Sequence, residues 1–132
     1  MRLNNFELAF VLGRLLLGVV FLMHGIVRVP KLAGFREHVL TQFAHAPLPA
    51  GLVAAYATAL PFVEGALGLL LVLGLFTRAA LVGIMLVLIS LVFGSCLLEN
   101  WSLVGDQLLY GLYVITLVLH LNRNRLCLDA VE

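Results

Sequence analysis

Seven residues of this chain set polar or ionisable groups into apolar surroundings: Arg14, His24, Tyr56, Glu64, Asp106, Tyr110 and Tyr113. A guanidinium, a carboxylate and an imidazole held away from water can bind an anion or exchange protons with a bound acid or quinone. Inside a bilayer such groups point to function by default. Arg14 and Glu64 are the candidate catalytic pair. His24, Tyr56, Asp106, Tyr110 and Tyr113 are the candidates for lining a quinone or substrate pocket. The plain alternative is an ion pair that only fixes helix register.

These residues sit on four long apolar runs, at about 8–27, 50–76, 79–98 and 103–121, each long enough to span a bilayer as a helix. At 100° per residue, Arg14, Gly18, Phe21, Gly25 and Arg28 fall on one stripe of the first run. The second aligns Val53, Ala57, Leu60, Glu64, Gly68 and Leu71, and the third Gly83, Val87, Ser90 and Gly94. The fourth aligns Asp106, Tyr110, Tyr113, Leu117 and His120. Stripes with little bulk or some polarity turn away from lipid and toward protein, which predicts an all-α, membrane-embedded four-helix bundle.

Depth then predicts which groups meet. At 1.5 Å per residue, Arg14 lies about 10 Å in from the end carrying the termini and Glu64 lies near the middle. An Arg14–Glu64 contact is therefore expected, direct or through water, with Tyr113 as a further hydrogen-bond partner. A second cluster is expected near the opposite surface, where His24, Arg28, Tyr56, Glu99 and Asp106 lie, with His24 beside Asp106 as a proton-exchanging pair.

Composition requires the bilayer as solvent: 63% of the 132 residues are hydrophobic and 11% are charged, too much apolar surface for one soluble core. The net charge of +1, without a basic run, argues against nucleic acid as a partner. The first run is read as a retained span and not a cleaved leader. Gly25-Ile26-Val27-Arg28 is a poor small-x-small cleavage site, and three more apolar runs follow.

Asn4 and Asn5 can cap the first helix, and Arg28, Pro30 and Lys31 end it. Residues 31–46 are too polar to span. Leu32, Phe35, Val39 and Phe43 nevertheless recur at helical spacing, which predicts an interfacial or re-entrant helix between the first two spans. Thr77-Arg78 is read as a short turn, Glu99 to Ser102 as the next connection, and Arg123, Arg125, Asp129 and Glu132 as the tail. Four spans bring both termini to one side. That side carries Arg2, Arg78, Arg123 and Arg125 against Arg28, Lys31 and Arg36 on the other, a slight lean toward cytoplasmic termini in an inner (plasma) membrane.

Cys96 and Cys127 are expected at opposite surfaces as free thiols, with neither a CxxC motif nor a metal-site spacing. His24 and His120 fall at opposite ends and cannot share one haem iron. No glycine-rich nucleotide fingerprint is present, and spacings such as Gly65, Gly68 and Gly74 suit helix packing.

Gly13-Arg14-Leu15-Leu16-Leu17-Gly18 through Phe21-Leu22-Met23-His24-Gly25, the step from Lys31 to Phe35, and Pro47 resemble the opening of the DoxX family. So does Glu64-Gly65-Ala66-Leu67-Gly68 followed by Gly74-Leu75-Phe76-Thr77-Arg78. The resemblance covers roughly the first two-thirds of the chain. It implies a small four-helix bacterial membrane protein of the oxidoreductase class, with relatives linked to thiosulfate:quinone oxidoreduction, quinone stress and thiol chemistry. The family pattern maps onto Arg14, His24, Gly25, Lys31, Glu64, Gly68 and Arg78. The expected function is a membrane component of a redox system binding a quinone or small substrate, with a partner redox subunit or a second copy. The alternative is a non-catalytic assembly or scaffold subunit.

Overall fold

A computed structural model describes residues 2–129 and is all-helical in that range. Helix α1 runs Asn5–Arg28. After a single 3-10 turn at Val29–Lys31 come α2 (Leu32–Gln42), α3 (Ala50–Leu73), α4 (Thr77–Leu97) and α5 (Trp101–Leu119), with a last 3-10 turn at Leu121–Arg123. Four helices are long and apolar enough to cross a membrane, which makes the chain a four-helix membrane bundle with α2 as an additional short helix between the first two spans.

Local chemistry sets the boundaries. Asn4 caps α1 in a capping box: the Glu7 N–H donates to Asn4 Oδ1 at 2.8 Å, and the Asn4 N–H donates to Glu7 Oε2 at 3.1 Å. Gly74 stops α3 with φ at +68°, its N–H donating to the Leu71 carbonyl and the Leu75 N–H to that of Leu70. The second span therefore ends at Leu73, short of the expected Phe76, and Thr77 and Arg78 open α4 where a turn was expected. Likewise Asn100 Oδ1 accepts from the Leu103 N–H, so Trp101 and Ser102 begin α5 and do not lie in the connection.

The two helices of closest approach are α1 and α3, antiparallel and nearly in backbone contact. A Cβ placed on Gly25 would lie 2.6 Å from Gly65 Cα and 2.8 Å from the Pro61 carbonyl oxygen. One on Gly18 would lie 3.0 Å from Val72 N, and one on Gly68 would collide with the Leu22 backbone. These contacts fix the register of α1 against α3. The apolar core forms around Phe10, Leu17, Phe21, Leu71, Leu81, Ile84, Leu88, Val114 and Leu117. Of the four spans, α5 buries the fewest residues, Val114 and Leu117.

Candidate functional site

The α1–α3 register decides which charges meet. Gly25 faces Gly65, and Gly18 faces Leu71 and Val72, so Arg14 comes level with the turn after Gly74, whereas Glu64 comes level with the last turn of α1. Arg14 and Glu64 are thus about twelve residues, roughly 18 Å, apart along the bundle, beyond the reach of a side chain. The expected Arg14–Glu64 contact does not form. Each finds another partner, and there are two polar sites at opposite ends.

Glu64 pairs with Arg28, Nη1 to Oε2 at 3.3 Å, with the Glu64 side chain 5% exposed and the Arg28 side chain 35%. Arg28 also lies over the Phe35 ring, 4.8 Å from its centroid, so one guanidinium links α1, the buried carboxylate on α3 and the short helix α2. Helix α2 is tied down further: Arg36 donates to Thr58 Oγ1 at 3.4 Å, and Phe43 packs into the space left by Gly94, its Cζ 3.1 Å from where a Cβ would sit. The segment predicted as interfacial or re-entrant is a cover over what lies beneath.

Beneath it is an open-sided cavity of about 570 Å³ lined by residues of all five helices. Phe21, Phe35, Phe43, Leu60 and Leu88 give it apolar walls, and Glu64 and Arg28 line it with His24, Tyr56, Gln107 and Tyr110. His24 Nδ1 donates to the Val20 carbonyl at 2.6 Å, which fixes the tautomer and leaves Nε2 free. Ser90 Oγ donates to the Val87 carbonyl, so its hydrogen bond with Tyr56 is one in which the Tyr56 hydroxyl donates. Exposed residues Leu52, Tyr56, Phe93, Leu103 and Tyr110 border the cavity, together with the exposed polar residues His38, Gln42 and Asn100.

The other polar site closes the end that carries the termini. Arg14, 1% exposed, donates through Nη1 to Asn124 Oδ1 at 2.6 Å and to the Arg125 carbonyl at 3.0 Å, and through Nη2 to the Leu126 carbonyl at 3.0 Å. The returning tail is stitched to the α3–α4 turn: the Thr77 N–H donates to Asp129 Oδ2, Asn124 Nδ2 donates to Thr77 Oγ1, and the Asp129 N–H donates to the Gly74 carbonyl. Arg125 pairs with Glu7 at 3.3 Å. Of the predicted tail, Glu132 lies outside the described residues.

The seven candidates therefore divide. His24, Tyr56, Glu64 and Tyr110 share one cavity. Arg14 is instead a structural anchor for the tail. Tyr113 donates to the Gly13 carbonyl at 2.6 Å and does not reach Arg14's partners. Asp106 is exposed and makes no hydrogen bond or ion pair among the described residues, so the expected His24–Asp106 pair does not form. On α4 the small-residue face turns toward protein as expected: Gly83 lies against Leu67 of α3, Ser90 is hydrogen-bonded to Tyr56, and Gly94 lies against Phe43 of α2. His38 is exposed at the rim of the cavity. Cys96 and Cys127 are free and lie at opposite ends, Cys127 against Gly74. Among the described residues no three His, Cys, Asp or Glu side chains converge on a metal position.

Two residues that matter were missed or misplaced. Arg28 was expected at the surface cluster but is Glu64's partner. Gln107 was overlooked, although Leu103, Gln107, Tyr110, Val114 and Leu117 recur at helical spacing and mark the inward face of α5 better than the stripe through Asp106.

Comparison with known proteins gives a match to the family model described as DoxX over residues 9–95. No curated protein and no solved structure matches. The matched segment includes the α1–α3 contact, α2, Arg14, Arg28 and Glu64, whereas Gln107, Tyr110 and the tail that holds Arg14 lie outside it.

Proposed function

This chain belongs to the DoxX family of small integral membrane proteins, and from that premise we propose that it is a membrane-embedded component of a redox system, binding a quinone or similar small substrate in the cavity above Glu64. The observation that carries the reading is the cavity itself. About 570 Å³ of space with apolar and aromatic walls borders one buried carboxylate, its half-buried arginine partner and a few polar groups, the composition of a small-molecule site and not of a packing defect. A quinone, when bound, supplies a carrier of two electrons and two protons. The chain's own residues orient it: the Arg28–Glu64 pair fixes a polar end, His24 Nε2 and Tyr56 offer hydrogen-bonding positions, and α2 excludes water. Electrons pass to or from a partner redox subunit. Arginines 2, 78, 123 and 125 at the end of the termini, against Arg28, Lys31 and Arg36 at the other, support cytoplasmic termini in an inner (plasma) membrane.

Purification in native lipid followed by extraction and quantification of quinone tests the reading. The wild-type protein is expected to hold quinone well above its ratio in bulk lipid. Glu64→Gln preserves shape but removes the charge; it is expected to fold and to retain about tenfold less, the scale of one charge-assisted hydrogen bond. A scaffold subunit behaves differently: quinone stays at the bulk ratio, and Glu64→Gln reduces stability or partner retention instead.

A further inference from the structure

Around Glu64 the interior is polar and partly exposed toward α2, and packed and apolar toward the termini. Arg28, paired with Glu64 at 3.3 Å, keeps 35% of its own side chain exposed, so solvent at that guanidinium stands one side chain away from a carboxylate that is itself 5% exposed. The border of the cavity carries His38 and Gln42 of α2 and Asn100 before α5, all exposed. Lys31, ending the 3-10 turn, and Glu37 of α2 are exposed as well. Charged groups are costly in hydrocarbon, which sets α2 and this border at an aqueous surface.

In the other direction the bundle is closed. Leu17, Phe21, Leu71, Ile84, Leu88 and Val114, each 5% exposed or less, belong to one packed core on the side of Glu64 that leads to the Arg14 anchor. Gly18 and Gly68 bring the α1 and α3 backbones together there. The polar side chain packed against this core, Tyr113, gives its hydroxyl to the Gly13 carbonyl. Apolar packing of this kind holds no file of water, because a buried water needs several polar partners.

We propose that Glu64 exchanges protons with one aqueous phase only, the one on the α2 side. Helix α2 keeps bulk water off the apolar walls, while the polar gap at Arg28, His38, Gln42 and Asn100 admits protons. The titratable and charged groups lining the cavity with Glu64 are His24 and Arg28 from α1, His38 from α2, Tyr56 on α3 and Tyr110 from α5; α4 brings the hydroxyls of Ser90 and Ser95. A bound group that gains or loses a proton at Glu64 therefore exchanges it with that phase, the outer one where the termini are cytoplasmic. The inference goes beyond the ring-binding reading, and the access holds whatever fills the cavity.

A thiol placed in the cavity tests this, because N-ethylmaleimide crosses bilayers and reacts with the thiolate, so its rate reports the pH that the thiol senses. Leu60→Cys puts the thiol one turn from Glu64 on the same face of α3 and on the cavity wall, in a chain that also carries Cys96→Ser and Cys127→Ser. The protein is reconstituted in one orientation in vesicles buffered separately inside and out. Glu37→Cys and Arg78→Cys, both at exposed positions, report which compartment each end faces. Raising the pH from about 6 to about 7 on the α2 side should raise the rate at position 60 about tenfold, the gain in thiolate for an ordinary thiol, and the same step on the side of the termini should change it less than about twofold. Glu64→Cys should behave alike, and it supplies the result if Leu60→Cys does not fold. A rate that follows the pH at the termini, both phases equally, or neither, overturns the proposal. Ring binding is read separately by quinone retention, so either result can fail without the other.

Discussion

Gly68→Ala should prevent α1 and α3 from closing on each other and leave little folded protein to recover. A Cβ at this position would overlap Leu22 N and come within 2.7 Å of the Gly18 carbonyl oxygen and Phe21 C, all backbone atoms of the facing helix. A crowded side chain can rotate away, but crowded backbone can be relieved only by moving the helices apart. Overpacking of this kind costs about 1–3 kcal/mol where side chains can adjust and more where they cannot, so about 3 kcal/mol or more is expected here. Separation would also pull Arg28 and His24 on α1 away from Glu64 on α3, removing the polar end of the cavity. Gly111→Ala is the control. Nothing lies within 4 Å of its Cβ, so the higher helix propensity of alanine should leave stability unchanged or slightly raised. Thermal unfolding in lipid, followed by circular dichroism, separates the two. Equal melting temperatures for both variants would contradict the close α1–α3 contact.

Arg14→Leu should release the tail without emptying the cavity. The substitution strips Asn124 Oδ1 and the carbonyls of Arg125 and Leu126 of the guanidinium that joins them. Hydrogen bonds to a charged group contribute about 1.5–3 kcal/mol each, but removing a buried charge recovers desolvation energy, so a net loss of about 3 kcal/mol is expected. Arg14→Lys should be nearly as damaging, because one ammonium on a thin stem does not reproduce a planar fork aimed at three acceptors. The readout is trypsin cleavage after Arg123 and Arg125, slow in the wild type and fast in either variant. Ring binding should change by less than about twofold, since Arg14 sits roughly 18 Å from Glu64 along the bundle. A large loss of binding with the tail still protected would return Arg14 to the binding site and refute its role as an anchor.

Spans, the short α2 helix and the Asn4 cap were legible because each depends on local pattern: apolar runs of membrane length, a period near 3.6, and an amide before the first turn. Pairing across helices was not. Counting depth from predicted ends set Arg14 near Glu64, yet the real register is imposed by Gly18, Gly25, Gly65 and Gly68 meeting backbone to backbone, and Gly74 ends α3 before Phe76. Those glycines were visible as packing positions, but the sequence does not say which faces which. The return of residues 121–129 over Arg14 has no periodic signature at all, since its hydrogen bonds come from carbonyls and one asparagine. Gln107 could have been found, because an amide in line with Val114 and Leu117 faces the core and needs a partner there.

The central claim is that a ring from the bilayer occupies the cavity under α2, and photolabelling tests it most directly. A photoreactive azidoquinone with an alkyl tail, irradiated with the protein in lipid discs, should label peptides spanning residues 35–43 and 103–110, and excess decylhydroquinone should suppress that labelling. Label concentrated on the outer groove of Val82, Leu86, Ile115 and Leu119, or spread over all helices and indifferent to competitor, would contradict the claim.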